Sequence, residues 1–228
     1  MRQMLFALAL GLAASGAAQA ETLTFAIRTP PASIDPQLTG LVANVGYVTN
    51  IFSTLFGQDP VTLGATPNLA IGANRTDDLT WMIDLREDVT FHNGDRFTAA
   101  DVIFSWKRLQ NVPNSDGLQL SYLMPIKTME AVDDHTLRIT TADSTPDLPE
   151  RLNKFVIICS CVEGATTEDF NSGKAAIGTG PYKLVTWRRG EAIERGLCRI
   201  FRRGSGIRQG CIAGHAERCV ADRRFARG

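Results

Sequence analysis

The stretch TWMIDLREDVTFHNGDRFTAADVIFSWKRL, residues 80–109, decides the fold class of this chain. In its first part Trp81, Ile83 and Leu85 alternate with polar or less buried residue types, and this period of two is typical of a strand with one buried face. Two more apolar residues prolong the alternation up to the Asn-Gly pair at 93–94, which favours a tight turn.

The second part of the stretch predicts a helix. Thr98 offers an N-cap hydroxyl, and Asp101 follows three residues later, where its carboxylate can accept a hydrogen bond from the N-cap backbone. Behind this cap the apolar residues recur with the helical period, at Ala99, Val102, Ile103, Trp106 and Leu109. A strand, a turn and a capped helix in direct succession indicate a chain of the α/β or α+β class.

Outward from this stretch, the chain carries further strand and helix patterns. The prolines within residues 29–36 predict a rigid loop after an opening strand at 22–27, and residues 41–56 predict a helix closed by a glycine. Three more strands are predicted: around Leu137 and Ile139, over the apolar run 155–158, and at 183–187 after the turn GTGPY of residues 178–182.

Charge and composition exclude several classes of protein. The 228 residues include 24 Lys plus Arg and 24 Asp plus Glu, and 44% are hydrophobic, so the chain is neither disordered nor fibrous. A net charge of zero argues against a nucleic-acid-binding protein, which normally carries a basic excess. The zero is a sum of unequal parts, because residues 21–194 carry a net charge of −8 and residues 195–228 carry +7.

Residues 1–20 have the three parts of a secretory signal peptide. Arg2 supplies the positive start, an apolar stretch follows, and Ala18-Gln19-Ala20 offers a small-residue cleavage site after Ala20. The apolar stretch is shorter than the roughly 20 residues that a membrane-spanning helix needs. We therefore expect an exported mature chain in the periplasm.

The five cysteines of the chain do not form an obvious disulfide framework. An odd number in an oxidising compartment leaves at least one thiol unpaired unless it pairs with a second chain. Cys159 and Cys161 are too close in sequence for an easy mutual disulfide if they lie on a strand.

Five strings, in this order and spacing, resemble family 5 of the bacterial solute-binding proteins, the oligopeptide-, dipeptide- and nickel-binding receptors of ABC importers. The resemblance covers about residues 21–194, and its most specific part is the stretch 80–109. It implies an α/β fold that is periplasmic-binding-protein-like, of type II, in which two lobes close on a ligand between them. The strings are SIDPQ (33–37), PNLA (67–70), the stretch 80–109, EAVDDHTLRIT (130–140) and GTGPYKLVTWRRGEAIE (178–194).

The function that this resemblance implies is transport rather than catalysis. A family member would bind a small peptide or similar solute in the periplasm, as a monomer, and present it transiently to the membrane subunits of an ABC permease. No enzyme activity, cofactor, metal or nucleic-acid partner is expected. Family members are considerably longer, so residues 21–194 correspond to an incomplete first lobe. Half of a cleft binds weakly, because too much of the ligand surface stays in water.

The arginine-rich segment 195–228 has two explanations. It is either a natural basic tail, expected to be disordered, or the product of a frameshift after about residue 194. Reading residues 199–227 one nucleotide later, with codons freely chosen, permits GYFGGAPAFDKVV, two looser positions and then VMPNAASRIAASLA. That string resembles what the family carries at this place, and it favours the frameshift, by pseudogene or sequencing error.

The same segment also supports an alternative from another functional class, a small exported metal-binding or enzymatic domain. Three of its residues recur every four positions, which on a helix would bring them to one face, and a further cysteine could complete a zinc site. These residues are Cys211, His215 and Cys219, with Cys198 as the fourth. Out-of-frame reading of a GC-rich gene also yields Cys and Arg, and we favour that origin.

His92 lies in a turn and is expected to be solvated.

Candidate ligand-binding residues lie in two places. In open α/β sheets, ligands sit beyond the carboxyl ends of strands, so the loop after the first strand is the best local candidate. There Ser33 can donate a hydrogen bond to a ligand, Pro31 can stiffen the approach, and Asp35 can either contact the ligand or cap and shape the loop. Tyr122 can stack on a ligand or pack in the core.

Overall fold

The computed structural model describes residues 31–188 and 191–196. The predicted signal peptide, the predicted strand at 22–27 and the tail from residue 197 onward lie outside these residues. The helices are α1 (Val42–Val48), α2 (Ala99–Leu109), α3 (Leu118–Leu123), α4 (Leu148–Leu152) and α5 (Thr167–Asn171), with a 3-10 turn at Ser160–Val162. The strands are β1 (Phe56–Gln58), β2 (Ala65–Pro67), β3 (Ala70–Arg75), β4 (Thr80–Leu85), β5 (Ile126–Asp133), β6 (Thr136–Thr141), β7 (Tyr182–Arg188) and β8 (Glu191–Gly196).

A four-stranded antiparallel sheet with the order β3-β4-β6-β5 is built around the decisive stretch. In β4 the residues predicted to face inward are buried and those between them are partly exposed, so the alternation is confirmed. On β6, Leu137 and Ile139 lie opposite Ile83 and Trp81, which places four buried apolar side chains across two neighbouring strands. Cross-strand pairs of this kind fix the register of the sheet.

Helix α2 begins as the sequence predicts. The carboxylate of Asp101 accepts a hydrogen bond from the backbone N–H of Thr98 at 2.9 Å, and the helix runs from Ala99 to Leu109. Its apolar face belongs to the same buried cluster as the inward side chains of the sheet. We call this cluster the sheet core.

The helix predicted over residues 41–56 is much shorter in the structure. Helix α1 ends at Val48, a turn follows over residues 49–52, and from residue 53 the chain runs beside residues 155–157. The backbone N–H of Leu55 donates to the carbonyl of Phe155 at 3.3 Å, and that of Ile157 donates to the carbonyl of Ser53 at 2.9 Å. Pairing between segments a hundred residues apart therefore overrides the local helical pattern.

The apolar run 155–158 separates two cores. Phe155 and Ile157 belong to the sheet core, whereas Val156 and Ile158 belong to a second cluster built around Ile34, Phe52 and Phe170, which we call the loop core. All four residues of the run are at most 1% exposed. The predicted burial of this run is confirmed, with both of its faces covered, but the predicted strand is reduced to an isolated bridge between Val156 and Thr54.

The structure corrects the prediction for the nearby cysteines. Cys159 and Cys161 are joined by a disulfide, with their Cα atoms 5.1 Å apart. They do not lie on a strand, because Cys159 precedes the 3-10 turn that contains Cys161. Residues two apart in a strand share a face, but their Cβ atoms stand about 6.6 Å apart, beyond the roughly 3.5–4.5 Å that a disulfide spans. The turn shortens this separation and lets the two sulfur atoms meet. Within the described ranges, no helix is both long and apolar enough to cross a membrane.

Candidate ligand-binding site

The loop of residues 31–39 lies against the loop core and carries three of the four predicted ligand-binding residues. Pro31, Ser33 and Asp35 are all buried, and Ile34 between them is 0% exposed. The Ser33 hydroxyl donates to Oδ1 of Asn171 in α5 at 2.8 Å and accepts from the backbone N–H of Asp35 at 3.0 Å. The loop is therefore fixed both internally and to α5.

Asp35 is the centre of a buried polar network. Its two carboxylate oxygens accept from the guanidinium of Arg108 in α2, at 3.0 Å from Nη1 to Oδ1 and 2.7 Å from Nη2 to Oδ2. The backbone N–H of Gln37 and the hydroxyl of Thr167 donate to the same carboxylate at 3.1 and 2.8 Å. Four donors saturate a carboxylate that is 0% exposed, so its charge is compensated without water.

The remaining contacts of this network join the loop to two helices. The guanidinium of Arg108 lies 4.5 Å from the ring centroid of Phe170 in α5 and donates to Oε1 of Gln37 at 3.0 Å. The side-chain amide of Gln37 in turn donates to the carbonyl of Ser105 in α2 at 2.9 Å. Loop 31–39, α2 and α5 thus form one polar joint over the loop core.

Sequence reasoning missed the partners in this joint. Asp101, Ser105 and Arg108 recur at intervals of four and three residues on α2, which places them on one helix face. All three form hydrogen bonds with other segments of the fold. Asp101 accepts from the backbone N–H of Ser160 at 2.8 Å, and Ser105 accepts from that of Ile158 at 2.9 Å. Arg108 donates to Asp35. A polar stripe is also typical of a solvated face, so the spacing alone does not reveal burial.

The geometry describes what Ser33 and Asp35 do in the fold. Both side chains use their hydrogen-bonding capacity within the joint, as in the loop-shaping alternative that the sequence left open for Asp35. Direct ligand contacts of Pro31, Ser33 and Asp35 stay a prediction.

Tyr122 lies half-buried on α3, and this helix is tied to the far end of the same loop. Asp116, just before α3, accepts from the hydroxyl of Thr39 at 2.6 Å and from the backbone N–H of Gly40 at 3.0 Å. Burial raises the pKa of Asp116, but hydrogen bonds from Thr39, Leu118 and Gly40 outweigh it and hold the pKa below its usual value. The structure thus ties the helix that carries Tyr122 to the end of loop 31–39, while the stacking role of Tyr122 stays a prediction.

The turn GTGPY packs tightly against the chain after α1. The backbone N–H of Gly180 donates to the carbonyl of Ile51 at 2.8 Å, and a Cβ atom at Gly178 would overlap that same carbonyl. His92 is half-buried here, which corrects the expectation that it is solvated: its Nε2 lies 3.0 Å from the carbonyl of Gly180, and its Nδ1 lies 3.4 Å from the backbone nitrogen of Gly178. The glycines are required because the backbones approach so closely.

The residues of the alternative zinc site, Cys198, Cys211, His215 and Cys219, lie outside the described residues.

Curated relatives of this chain are named as binding proteins for di- and tripeptides or for glutathione. The chain is 30% identical over 207 residues to di/tripeptide-binding protein 4 of Pseudomonas aeruginosa, covering 80% of this chain and 38% of that protein. It is 28% identical over 198 residues to the glutathione-binding protein GsiB of Salmonella typhi, covering 82% of this chain and 37% of that protein. The chain therefore spans less than two fifths of the length of either relative.

Solved structures share the fold. The OppA structure from Burkholderia pseudomallei matches with a TM-score of 0.71 at 20% identity, over 81% of this chain and 40% of that one. NikZ from Campylobacter jejuni, solved in complex with Ni(L-His), matches with a TM-score of 0.65 at 28% identity, over 77% of this chain and 35% of that one. The expected α/β fold of the type II periplasmic binding proteins is confirmed, for a part that matches about 40% of the OppA chain.

A family model decides the affiliation. The model described as "Bacterial extracellular solute-binding proteins, family 5 Middle" matches residues 64–195, which include the decisive stretch, the four-stranded sheet and the turn GTGPY. More than half of the chain is matched. This chain belongs to family 5 of the bacterial extracellular solute-binding proteins.

Proposed function

We propose that this chain is part of the periplasmic solute-binding component of an ABC importer, and that its solute is a short peptide or a similar small molecule. The family match over residues 64–195 carries the proposal, and the named relatives bind di- and tripeptides or glutathione. The mechanism is ligand-driven closure of two lobes, which is a shift of population rather than chemistry.

In this proposal the polar joint around Asp35 has a positioning role. A solute-binding wall must keep its shape while the opposite lobe moves, and the joint fixes loop 31–39 to α2 and α5 by charged hydrogen bonds. Pro31 and the backbone of the loop then meet the solute at the wall, and Tyr122 adds an aromatic surface from α3. These contacts belong to the proposal.

The proposal also takes segment 195–228 to be out of frame. Its support is the agreement of two boundaries: the family model ends its match at residue 195, and the charge and composition change after residue 194. Residues 21–194 correspond to one wall of the cleft, and a single wall leaves much of a ligand's surface in water, so we expect these residues alone to bind a solute weakly or not at all. Sequencing the gene again tests this step, and an intact frame whose shifted translation lacks the family string would contradict it.

Isothermal titration calorimetry tests the function. The chain as it stands and a frame-corrected full-length version are titrated with di-, tri- and oligopeptides, with a free amino acid as the negative ligand. The corrected protein is expected to bind at least one peptide class, while the present chain gives no saturable heat at the same concentrations. Equal binding by both proteins would refute the expectation that residues 21–194 alone bind weakly. Binding of no peptide by the corrected protein would refute the assignment of a peptide as the solute.

A further inference from the structure

Three metal-ligating side chains converge at the edge of the sheet core. The sulfur atoms of Cys159 and Cys161 and a carboxylate oxygen of Asp95 all lie within 4.8 Å of one another. Cys159 is 2% exposed, whereas Cys161 and Asp95 are exposed, so the group has one buried and two accessible members. It involves none of the cysteines of the tail.

Both segments that carry these side chains are fixed by the fold. The backbone N–H of Ser160 donates to the buried carboxylate of Asp101 at 2.8 Å, which ties the cysteine segment to α2. On the other side, the backbone N–H of Phe91 donates to the carbonyl of Asp95 at 2.8 Å and closes the tight turn. Two turns held by separate backbone contacts therefore present the three side chains to one another.

A single amide connects ligands from the two segments. Nδ2 of Asn93 lies 2.6 Å from Oδ2 of Asp95 and 3.4 Å from the sulfur of Cys161, so it donates to both. Groups that hydrogen-bond to metal ligands orient them and raise metal affinity. The backbone N–H of Cys161 also donates to the sulfur of Cys159 at 3.2 Å, which fixes the position of this sulfur relative to the cysteine segment.

We propose that Cys159, Cys161 and Asp95 bind one thiophilic divalent cation, with Zn²⁺ as the representative ion, whenever the two cysteines are reduced. Two thiolates and one carboxylate supply three of the four ligands that tetrahedral zinc takes, and solvent completes the set. The three negative charges exceed the charge of the cation, so its binding relieves their mutual repulsion.

The disulfide makes this site redox-gated. A dithiol reductant transfers two electrons and two protons: the bond between Cys159 and Cys161 breaks, the reductant forms its own disulfide, and two thiols remain on the protein. Binding of Zn²⁺ then displaces the two thiol protons to solvent. Because the cysteines are only two residues apart, the disulfide closes a very short loop and constrains the unfolded chain little, so the fold tolerates its reduction.

The test uses the mature full chain with Cys198, Cys211 and Cys219 replaced by Ser, so that the thiols of segment 195–228 cannot contribute to metal binding. After reduction with a phosphine, the protein is titrated with Zn²⁺ against a chromophoric chelator, and with Co²⁺ to detect thiolate-to-metal charge transfer. We expect one Zn²⁺ per chain in the reduced state and none in the oxidised state. Reduced protein that binds no Zn²⁺, or oxidised protein that binds it equally well, would overturn the proposal.

Variants assign the ligands. Cys161→Ser is expected to abolish Zn²⁺ binding and the charge-transfer band, and Asp95→Asn to weaken Zn²⁺ binding. Glu163→Gln makes the same charge change at an exposed site beside the cluster and should leave Zn²⁺ binding unchanged. Asn93→Ala should weaken binding by about 10- to 100-fold. If Cys161→Ser fails to fold, alkylation decides: Zn²⁺ should slow modification of Cys161 in the reduced protein, and unaltered alkylation would overturn the assignment.

Discussion

Replacing Asp35 by Asn tests whether the polar joint holds the ligand-binding loop in place. The substitution removes the negative charge but leaves Arg108, whose side chain is 13% exposed, without its counter-charge. In the Asp35→Asn variant the amide oxygen can still accept a hydrogen bond. The new NH₂ group takes the place of the oxygen that accepts from Nη2 of Arg108 and from the hydroxyl of Thr167. Two donors, the NH₂ group and Nη2, then face each other and cannot form a hydrogen bond. Breaking one side of a buried ion pair costs about 3–5 kcal/mol.

The size of the effect follows from what remains to Arg108. Because its guanidinium keeps Gln37 and the ring of Phe170 as partners, we expect the lower end of this range, about 3 kcal/mol. At a urea m-value of about 2 kcal/mol/M, that loss moves the unfolding midpoint down by about 1.5 M. Urea denaturation followed by circular dichroism measures the shift, and an unchanged m-value shows that stability alone has changed.

Asp78→Asn is the matched control. Asp78 pairs with Arg75 at 2.9 Å on the surface, with side-chain exposures of 91% and 31%, and an exposed pair contributes about 0–1 kcal/mol. A double variant, Asp35→Leu with Arg108→Met, removes both buried charges and should recover at least half of the lost stability. The reasoning fails if Asp35→Asn costs no more than Asp78→Asn, or if the double variant is no more stable than the single one.

Three further predictions test other parts of the fold. Gly178→Ala should destabilise the chain strongly, because the new Cβ would overlap the carbonyl of Ile51. Gly46→Ala should instead stabilise it by about 0.5–1 kcal/mol, because Gly46 lies in a helix and no atom stands near the new Cβ. Thermal unfolding of the two variants compares these effects. Phe155→Ala, at a side chain that is 0% exposed, should cost about 3–5 kcal/mol in urea unfolding, and a cost below 1 kcal/mol would contradict its place in the sheet core. Hydrogen bonds from the backbone and hydroxyl of Thr166, with help from Lys174, lower the pKa of Asp169 from 3.8 to about 2. The ionised carboxylate therefore stabilises the fold fully above about pH 4, and this stabilisation is lost as the pH falls toward 2. The stability difference between the parent and Asp169→Asn, measured across this range, should shrink accordingly, and a difference that does not change with pH would contradict the linkage.

The parts of the fold that were predicted correctly depend on neighbours in sequence. The alternation at 81, 83 and 85 and the cap formed by Thr98 and Asp101 are both visible locally, because a strand has a period of two and a capping box spans four residues. The family resemblance rests on the same strings. The candidate loop was also located from local sequence, because its prolines exclude regular secondary structure whatever the loop packs against.

The parts that were missed depend on contacts between distant segments. Residues 53–55 are not helical because they pair with residues 155–157, and local propensity carries no information on a partner a hundred residues away. The inward orientation of Arg108 likewise depends on Asp35, 73 residues earlier, because an isolated guanidinium would face water.

The amino-acid sequence by itself determined the class of fold, the family and the position of the candidate loop, because periodicity, capping and turn chemistry act over a few residues. Only the tertiary structure decided how Ser33 and Asp35 are used, and that Cys159 and Cys161 meet Asp95. The physical reason is that burial and charge compensation are properties of a place in space. A carboxylate of the same chemistry is solvated at Asp78 and fully buried at Asp35, and no local pattern distinguishes the two.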